Sequence, residues 1–145
     1  MQPLFQMPIS VRWADLDPNG HVRHSVYYDW GASVRIACLA AHGLTLERMA
    51  AEGFGPVLLR EEAVFRREVR LGDELTIHLW LTNSRPDGSR FTFRHDILRS
   101  DGTLCAVITI EGGWIDLHSR KLISPPAGVI AWFAQWLTNR DLTSP

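Results

Sequence analysis

The sequence lacks a surplus of charge and lacks long apolar runs, and each absence removes a class of protein. Its 15 basic and 16 acidic residues give a formal charge of -1 with no polybasic run, so nothing indicates binding to nucleic acid or to a membrane surface. No apolar run approaches the roughly 20 residues of a membrane-spanning helix, and the amino terminus has no secretory pattern. We therefore expect a cytoplasmic protein that does not enter a membrane.

Cysteine is also scarce, since the chain has only Cys38 and Cys105. They lie far apart in apolar surroundings and form no Cys-x-x-Cys pair, so we expect small buried side chains and no disulfide. The chain has no internal repeats and no low-complexity segment. Its 145 residues, 46% of them hydrophobic, suit one domain that spans residues 1–145.

Apolar periodicity predicts an opening strand followed by one long helix. The strand is predicted at Ile9–Ala14, before a cluster of turn-forming residues. From Val26, apolar residues recur every three or four positions, with Ser25 as the expected cap and Gly43 as the expected stop. The repeating residues are Val26, Trp30, Val34, Ala37 and Ala41. A shorter helix is predicted at Thr45–Glu52.

Four strands are predicted after this helical region, and hairpin turns separate them. In the second strand Leu75, Ile77, Leu79 and Leu81 alternate with polar or amphipathic residues, as in an antiparallel strand with one face on the core. A last helix is predicted at Ala127–Leu137, after two prolines. The strands are predicted at Val57–Leu71, Glu74–Thr82, Arg90–Arg99 and Thr103–Asp116.

The segment Val11–Tyr28 places two carboxylates, Asp15 and Asp17, between a strand and a helix start. Pro18 favours an extended backbone at Asp17, and the following Asn-Gly pair favours a tight bend. A helix start offers unpaired N–H groups and a partial positive charge, which can stabilise an oxyanion. The aspartates could instead serve only as caps of the loop and helix, which acidic residues near helix starts do very often, and physical reasoning leaves both interpretations open.

The same segment resembles a family signature, Asp-x-Asp-x-x-Gly-His-Val followed by tyrosine. It is matched by Asp15, Asp17, Gly20, His21, Val22 and Tyr27 or Tyr28, with Phe65, the run Leu71-Gly72-Asp73 and Pro125-Pro126 as further matches. This pattern resembles the 4-hydroxybenzoyl-CoA thioesterase-like branch of the hotdog-fold superfamily. The resemblance implies an α+β hotdog fold, in which an antiparallel sheet wraps around one long central helix.

The resemblance also implies an activity, the hydrolysis of an acyl-CoA or acyl-carrier-protein thioester. Asp17 would be the catalytic carboxylate, acting as nucleophile or as base for water, and the helix start near His24 would polarise the carbonyl. The site would lie between two subunits of a homodimer or homotetramer, and the family needs no metal or cofactor. We therefore assign Asp17 and His24 to catalysis.

Substrate contacts are assigned to the residues Gly20, His21, Arg23, Tyr27 and Glu61. Each has a simpler alternative: Arg23 can be solvated, His21 can bond within the loop, and Tyr27 can belong to the core. Glu61 shares a strand face with apolar residues, so it is either paired at a strand irregularity or a second polar group of the site. Many relatives carry Asn directly after Gly-His-Val, whereas this chain has Arg23 and His24, which leaves the acyl group open. His21 and His24 lack a third metal ligand, so we expect no metal.

Two other functions fit the same sequence. A non-catalytic module of this fold would bind an acyl thioester without cleaving it. A hotdog dehydratase or hydratase would pair a histidine with a carboxylate and move a proton at carbon. Retention of Asp17 favours the thioesterase.

Overall fold

The computed structural model describes residues 2–142, and side chains are described through residue 138. Six strands and three α-helices follow one another along the chain, with a short 3-10 helix at Trp13–Asp15. The strands are β1 (Phe5–Ser10), β2 (Phe54–Phe65), β3 (Glu74–Ser84), β4 (Arg90–Arg99), β5 (Leu104–Asp116) and β6 (Leu122–Ile123), and the helices are α1 (His24–Ala41), α2 (Leu46–Glu52) and α3 (Ala127–Leu142).

The strands form one antiparallel sheet in the order β1-β3-β4-β5-β2, and β6 pairs with β5. Helix α1 packs against β1, β3 and β5. Its buried residues include Val26, Trp30 and Val34 from the predicted apolar stripe, because these share one helix face. The predicted α+β hotdog architecture is confirmed.

The core confirms the predicted alternation in the second of the four strands. Leu75, Ile77, Leu79 and Leu81 of β3 are buried, while the residues between them are more exposed. Both cysteines are buried free thiols, as expected. Among residues 2–142, no helix is long and apolar enough to cross a membrane. The cytoplasmic location stays a prediction.

Three of the predicted boundaries are wrong, and hydrogen bonds explain the first two. The first strand is Phe5–Ser10, because the Asp15 carboxylate accepts from the Arg12 N–H and folds the next residues into the 3-10 helix. The strand predicted at Val57–Leu71 ends at Phe65, because the next two N–H groups both donate to the Cys105 carbonyl. Helix α1 starts two residues before Val26, so Arg23 and not Ser25 is its N-cap.

Candidate active site

The predicted catalytic segment begins with a carboxylate that holds the loop in shape. Asp15 is buried and accepts hydrogen bonds from the Arg12 N–H at 2.9 Å and from Arg12 Nη2 at 2.8 Å. The Arg12 side-chain hydrogen bond holds the pKa of Asp15 below its usual range, so this carboxylate stays ionised. Asp15 therefore stabilises the conformation of the loop.

Asp17 is held in a different way, by main-chain donors on one of its two oxygens. Its Oδ1 accepts from the Asn19 N–H at 2.9 Å and from the His21 N–H at 3.1 Å. Its own N–H donates to the His21 carbonyl at 2.7 Å. No described residue donates a hydrogen bond to Oδ2. One oxygen thus fixes the carboxylate, and the other is left for a substrate or water.

Gly20 makes the tight bend of this loop possible. Its φ of 79° lies in the left-handed region, where glycine has no steric penalty, and its N–H donates to the Asp17 carbonyl at 3.0 Å. The bend is what brings the His21 N–H back to the Asp17 carboxylate. Gly20 therefore contributes to the site through its backbone conformation.

The far side of the loop is bound to the segment that follows β2. The Val22 N–H donates to the Val69 carbonyl at 2.8 Å, and His21 Nε2 lies 3.1 Å from Glu68 Oε2. Glu68 also accepts from Arg70 Nη2 at 3.0 Å, and this hydrogen bond is the main cause that lowers the pKa of Glu68, with the His21 charge next. His21 is therefore anchored by Glu68 at the cleft wall.

Helix α1 begins immediately after this loop and leaves donors at its start. Arg23 is its N-cap, and no side-chain cap satisfies the first turn. The N–H groups of His24 and Ser25 have no acceptor among the described residues. The Arg23 guanidinium is turned to the Ala14 carbonyl and to Ser25 Oγ, so it braces the helix start against the 3-10 helix.

The loop, the helix start and the end of β2 enclose a cleft of about 380 Å³. One wall is aromatic: the buried Tyr27 ring makes edge contacts with Trp30 and Phe65 at centroid distances of 5.3 and 5.1 Å. Burial raises the pKa of Tyr27 to about 12, so its phenol stays neutral. The lining residues are Asp17, His21, Val22, His24, Tyr27, Phe65, Arg66, Arg67 and Glu68.

A basic cleft of about 480 Å³ adjoins this one and shares the residues Arg66, Arg67 and Glu68. Arg70, Asp73 and Arg99 complete its lining, so four arginines meet two carboxylates. The name basic cleft is kept below for these six residues.

Glu61 is not among the residues that line the Asp17 cleft. It follows a strand irregularity between Leu58 and Arg60, and its Oε2 lies 4.0 Å from Arg35 Nη2. Arg35 Nη1 in turn lies 3.0 Å from His95 Nε2, and the His95 Nδ1 lies 2.9 Å from the Ile108 carbonyl. Arginine cannot accept a hydrogen bond, so His95 is neutral with its proton on Nδ1.

Sequence reasoning missed Arg35 and His95, although each leaves a signal. His95 alternates with Phe93 and Ile97 on the inward face of β4 and is fully buried. Arg35 directly follows the buried Val34 in the middle of α1. The structure thus brings Asp17, His21, His24 and Tyr27 into one cleft and places Glu61 with Arg35 elsewhere. Within residues 2–142 no group of three or more His, Cys, Asp or Glu could hold a metal.

The sequence matches the Thioesterase-like superfamily over residues 11–133. An acyl-CoA thioester hydrolase from Escherichia coli, YbgC, is 26% identical over 132 residues, which cover 91% of this chain and 97% of that protein.

Solved structures show the same fold. A Staphylococcus aureus protein in complex with CoA has a TM-score of 0.88 and 22% identity, covering 96% of this chain and 87% of that chain. A DHNA-CoA thioesterase from Staphylococcus aureus has a TM-score of 0.81 and 18% identity, covering 94% and 93%.

Proposed function

Because this chain belongs to the thioesterase-like superfamily, we propose that it hydrolyses acyl-coenzyme A thioesters, with Asp17 as the reacting carboxylate. One observation carries the proposal: the Asp17 carboxylate, whose Oδ2 accepts no hydrogen bond from the described residues, and the open start of α1 line the same cleft. The name of the Escherichia coli relative and the CoA complex of the Staphylococcus aureus protein support the same substrate class.

The helix start supplies the electrophilic half of this site. A thioester carbonyl placed at the first turn would accept hydrogen bonds from the N–H groups of His24 and Ser25, which have no protein acceptor among the described residues. As the carbonyl carbon becomes tetrahedral, its oxygen gains negative charge. Each well-placed donor can stabilise that oxyanion by about 3 kcal/mol, and the partial positive charge of the helix start adds to this.

Asp17 supplies the other half through Oδ2, and two routes use it. As a nucleophile, Oδ2 bonds to the carbonyl carbon, the carbon–sulfur bond breaks, and the thiolate takes a proton from water. Water then cleaves the mixed anhydride and returns the carboxylate. As a base, Oδ2 takes a proton from a water whose oxygen attacks the carbonyl, and that proton then reaches the departing sulfur.

The basic cleft gives a reason to propose coenzyme A as the thiol. It adjoins the Asp17 cleft through Arg66 and Arg67, and its four arginines outnumber its two carboxylates. A guanidinium can donate two parallel hydrogen bonds to two oxygens of one phosphate, which suits the nucleotide phosphates of coenzyme A. A carrier protein presents phosphopantetheine without that nucleotide.

We also propose that the protein acts as a homodimer paired along β2. One edge of β2 pairs with β5, and the other edge has no partner among the described residues. Around that edge strand Leu58, Leu59, Val64 and Phe65 are each 44 to 50% exposed. An unpaired strand with exposed apolar side chains favours pairing with a second copy, and a two-fold axis would make the paired strands antiparallel. Because Phe65 at the end of β2 lines the Asp17 cleft, this cleft would then lie next to the partner subunit.

Thiol release from a panel of aliphatic and aromatic acyl-CoAs tests the activity, and Asp17→Asn tests the carboxylate. The amide oxygen can still accept from Asn19 and His21, so we expect folding to survive and turnover to fall about a hundredfold or more. Asp87→Asn is the matched control, because Asp87 Oδ1 accepts from the N–H two residues later at 3.0 Å, as Asp17 does.

Unchanged turnover in Asp17→Asn would exclude Asp17 as the reacting group. Binding of acyl-CoAs by calorimetry without any thiol release would instead identify a binding module. Faster cleavage of an acyl-carrier-protein than of the matching acyl-CoA would overturn the choice of coenzyme A.

A further inference from the structure

A second cavity, of about 220 Å³, lies between the C-terminal half of α1, the start of β2 and the sheet. Most of its wall is apolar, with aromatic rings from β4, β5 and α3 packed at centroid distances of 5.3 to 6.0 Å. A dry apolar cavity of about 150 Å³ is large enough to bind benzene. This cavity therefore has room for one ring or a short acyl chain. It is called the Arg35 cavity here, and its lining includes Ala32, Arg35, Leu58, Phe93, Trp114 and Phe133.

Arg35 brings an incompletely bonded cation to that wall. Its side chain is 16% exposed, and among the described residues only His95 accepts a hydrogen bond from it, at 3.0 Å. Glu61 is 4.0 Å away, close enough for charge attraction and too far for a hydrogen bond. A guanidinium has five N–H donors, so most of those on Arg35 have no acceptor in the part of the chain that the structure describes. Burial lowers the pKa of Arg35, yet the group remains a cation.

Trp114 also lines the Arg35 cavity, but it offers no donor to a ligand there. The residue is fully buried, and its indole Nε1–H, which has no hydrogen-bond partner among the described residues, is closed to solvent. The donors on this wall are therefore those of Arg35. An incompletely bonded cation on an otherwise apolar cavity points to a ligand that is apolar along its length and ends in an oxygen.

The Arg35 cavity and the Asp17 cleft lie at opposite ends of β2. Leu58 lines the cavity and Phe65 lines the cleft, which places them roughly 20 Å apart along the strand. In the antiparallel dimer proposed above, the start of one β2 lies beside the end of its partner. The cavity of each copy would then face the Asp17 cleft of the other copy.

We propose that the Arg35 cavity receives the acyl group of a thioester held at the partner's Asp17 cleft, and that Arg35 selects acyl groups whose far end carries an oxygen acceptor. This inference rests on the proposed function and on the β2 dimer. The acyl group is a single ring or a short chain, and its terminal oxygen belongs to a hydroxyl or to a carboxylate. An acyl chain that ends in a methyl group leaves the Arg35 donors unpaired and binds less well.

Binding to the Asp17→Asn variant tests this selection without turnover. Calorimetry would compare heptanoyl-CoA with ω-hydroxyhexanoyl-CoA and the adipoyl monothioester of CoA, which have chains of equal length. We expect the two oxygen-terminated ligands to bind about tenfold or more tightly than heptanoyl-CoA, as a hydrogen bond to a buried cation allows. A larger gain for adipoyl than for ω-hydroxyhexanoyl would identify a carboxylate as the terminal group.

Arg35→Met in the same background should remove that preference, and Arg48→Met should keep it, because Arg48 is a half-exposed arginine paired with Glu52 on α2. If loss of Arg35 alone prevents folding, Arg35→Met with Glu61→Gln removes the unpaired carboxylate as well.

Equal affinity for the three ligands, or no binding of any of them, overturns the inference. So does a preference that persists in a folded Arg35→Met variant. The wild-type thiol-release assay decides the proposed function separately. Hydrolysis without ligand selection would support the proposed thioesterase activity and contradict the selective role of Arg35. Selective binding without hydrolysis would support the selective role of Arg35 and contradict the thioesterase activity.

Discussion

The ring of Phe91 occupies the space that a side chain on Gly112, its cross-strand partner, would need. A Cβ on Gly112 would lie 2.4 Å from Phe91 Cε2 and 2.5 Å from Cζ. Phe91 is buried among the aromatic rings that line the Arg35 cavity, so its ring has packed neighbours on several sides. Only glycine, which has no Cβ, therefore fits at position 112 opposite this ring.

We expect Gly112→Ala to lower the free energy of unfolding by about 1 to 3 kcal/mol, since the core must shift to admit the methyl group. Urea unfolding measures it. Gly128→Ala is the control, because a Cβ there meets nothing within 4 Å, and it should leave stability unchanged or slightly raised. Adding Phe91→Leu to Gly112→Ala should recover part of the loss. Full additivity of the two changes would show that ring and methyl group do not compete.

Stability should depend on pH through His95. Burial is the main cause that lowers the pKa of His95 in the folded protein to about 4, from 6.5. Between these values the unfolded chain binds a proton that the folded protein does not. The stabilisation is therefore complete above pH 6.5 and is lost as pH falls toward 4, by a total of about 3 kcal/mol.

Urea unfolding from pH 7.5 down to about 4.5 would follow this loss. His95→Gln should flatten the curve over this range, because glutamine does not titrate and can still accept from Arg35. His118→Gln, at an exposed turn, serves as the control and should keep the wild-type slope. The same slope in His95→Gln would assign the effect to other groups.

Assembly should depend on the exposed residues of β2. Val64 is 44% exposed, and Val64→Lys would place a charge on the apolar edge of β2, beside the start of the partner's β2 in the proposed dimer. We expect sedimentation to show a shift from dimer to monomer, together with loss of thiol release, because each site would need both copies. Leu46→Lys changes an even more exposed leucine on α2 and should alter neither result. A Val64→Lys protein that stays dimeric would place the interface elsewhere.

Recognition of the nucleotide should depend on salt and on the basic cleft. Arg66→Gln and Arg70→Gln are expected to raise KM for an acyl-CoA several-fold and leave kcat nearly unchanged, since they act on phosphates away from the reacting bond. The KM for the matching acyl-pantetheine should not respond to these changes or to added salt. Arg85→Gln, outside the basic cleft, is the control. If the KM values of both substrates changed equally, the basic cleft would not bind the nucleotide phosphates.

The sequence predicted the long helix and the four-strand order because local periodicity encodes them. Val26, Trp30 and Val34 repeat at helical spacing, and the apolar residues of β3 alternate, so burial on one face follows directly. Two of the wrong boundaries depend on particular hydrogen-bond acceptors, which periodicity does not reveal. The Asp15 carboxylate ends the first extended segment, and the Cys105 carbonyl, from another strand, ends β2.

The candidate site divides in the same way. Asp17, His21 and His24 are close in sequence, so a motif can bring them to notice. Arg35 and His95 are separated by 60 positions, and nothing local pairs an arginine of a helix with a histidine of a strand. Their pairing depends on how α1 lies over the sheet, which only the folded structure provides.

The attachment of Asp17 has a consequence for how such a site can change. Both groups that hold its Oδ1 are peptide N–H groups, those of Asn19 and His21. Every amino acid except proline offers that donor, so the side chains at these two positions are free to vary while the carboxylate keeps its orientation. The orientation of the Asp17 carboxylate is fixed by the main chain, so the side chains around it can diversify without disturbing it.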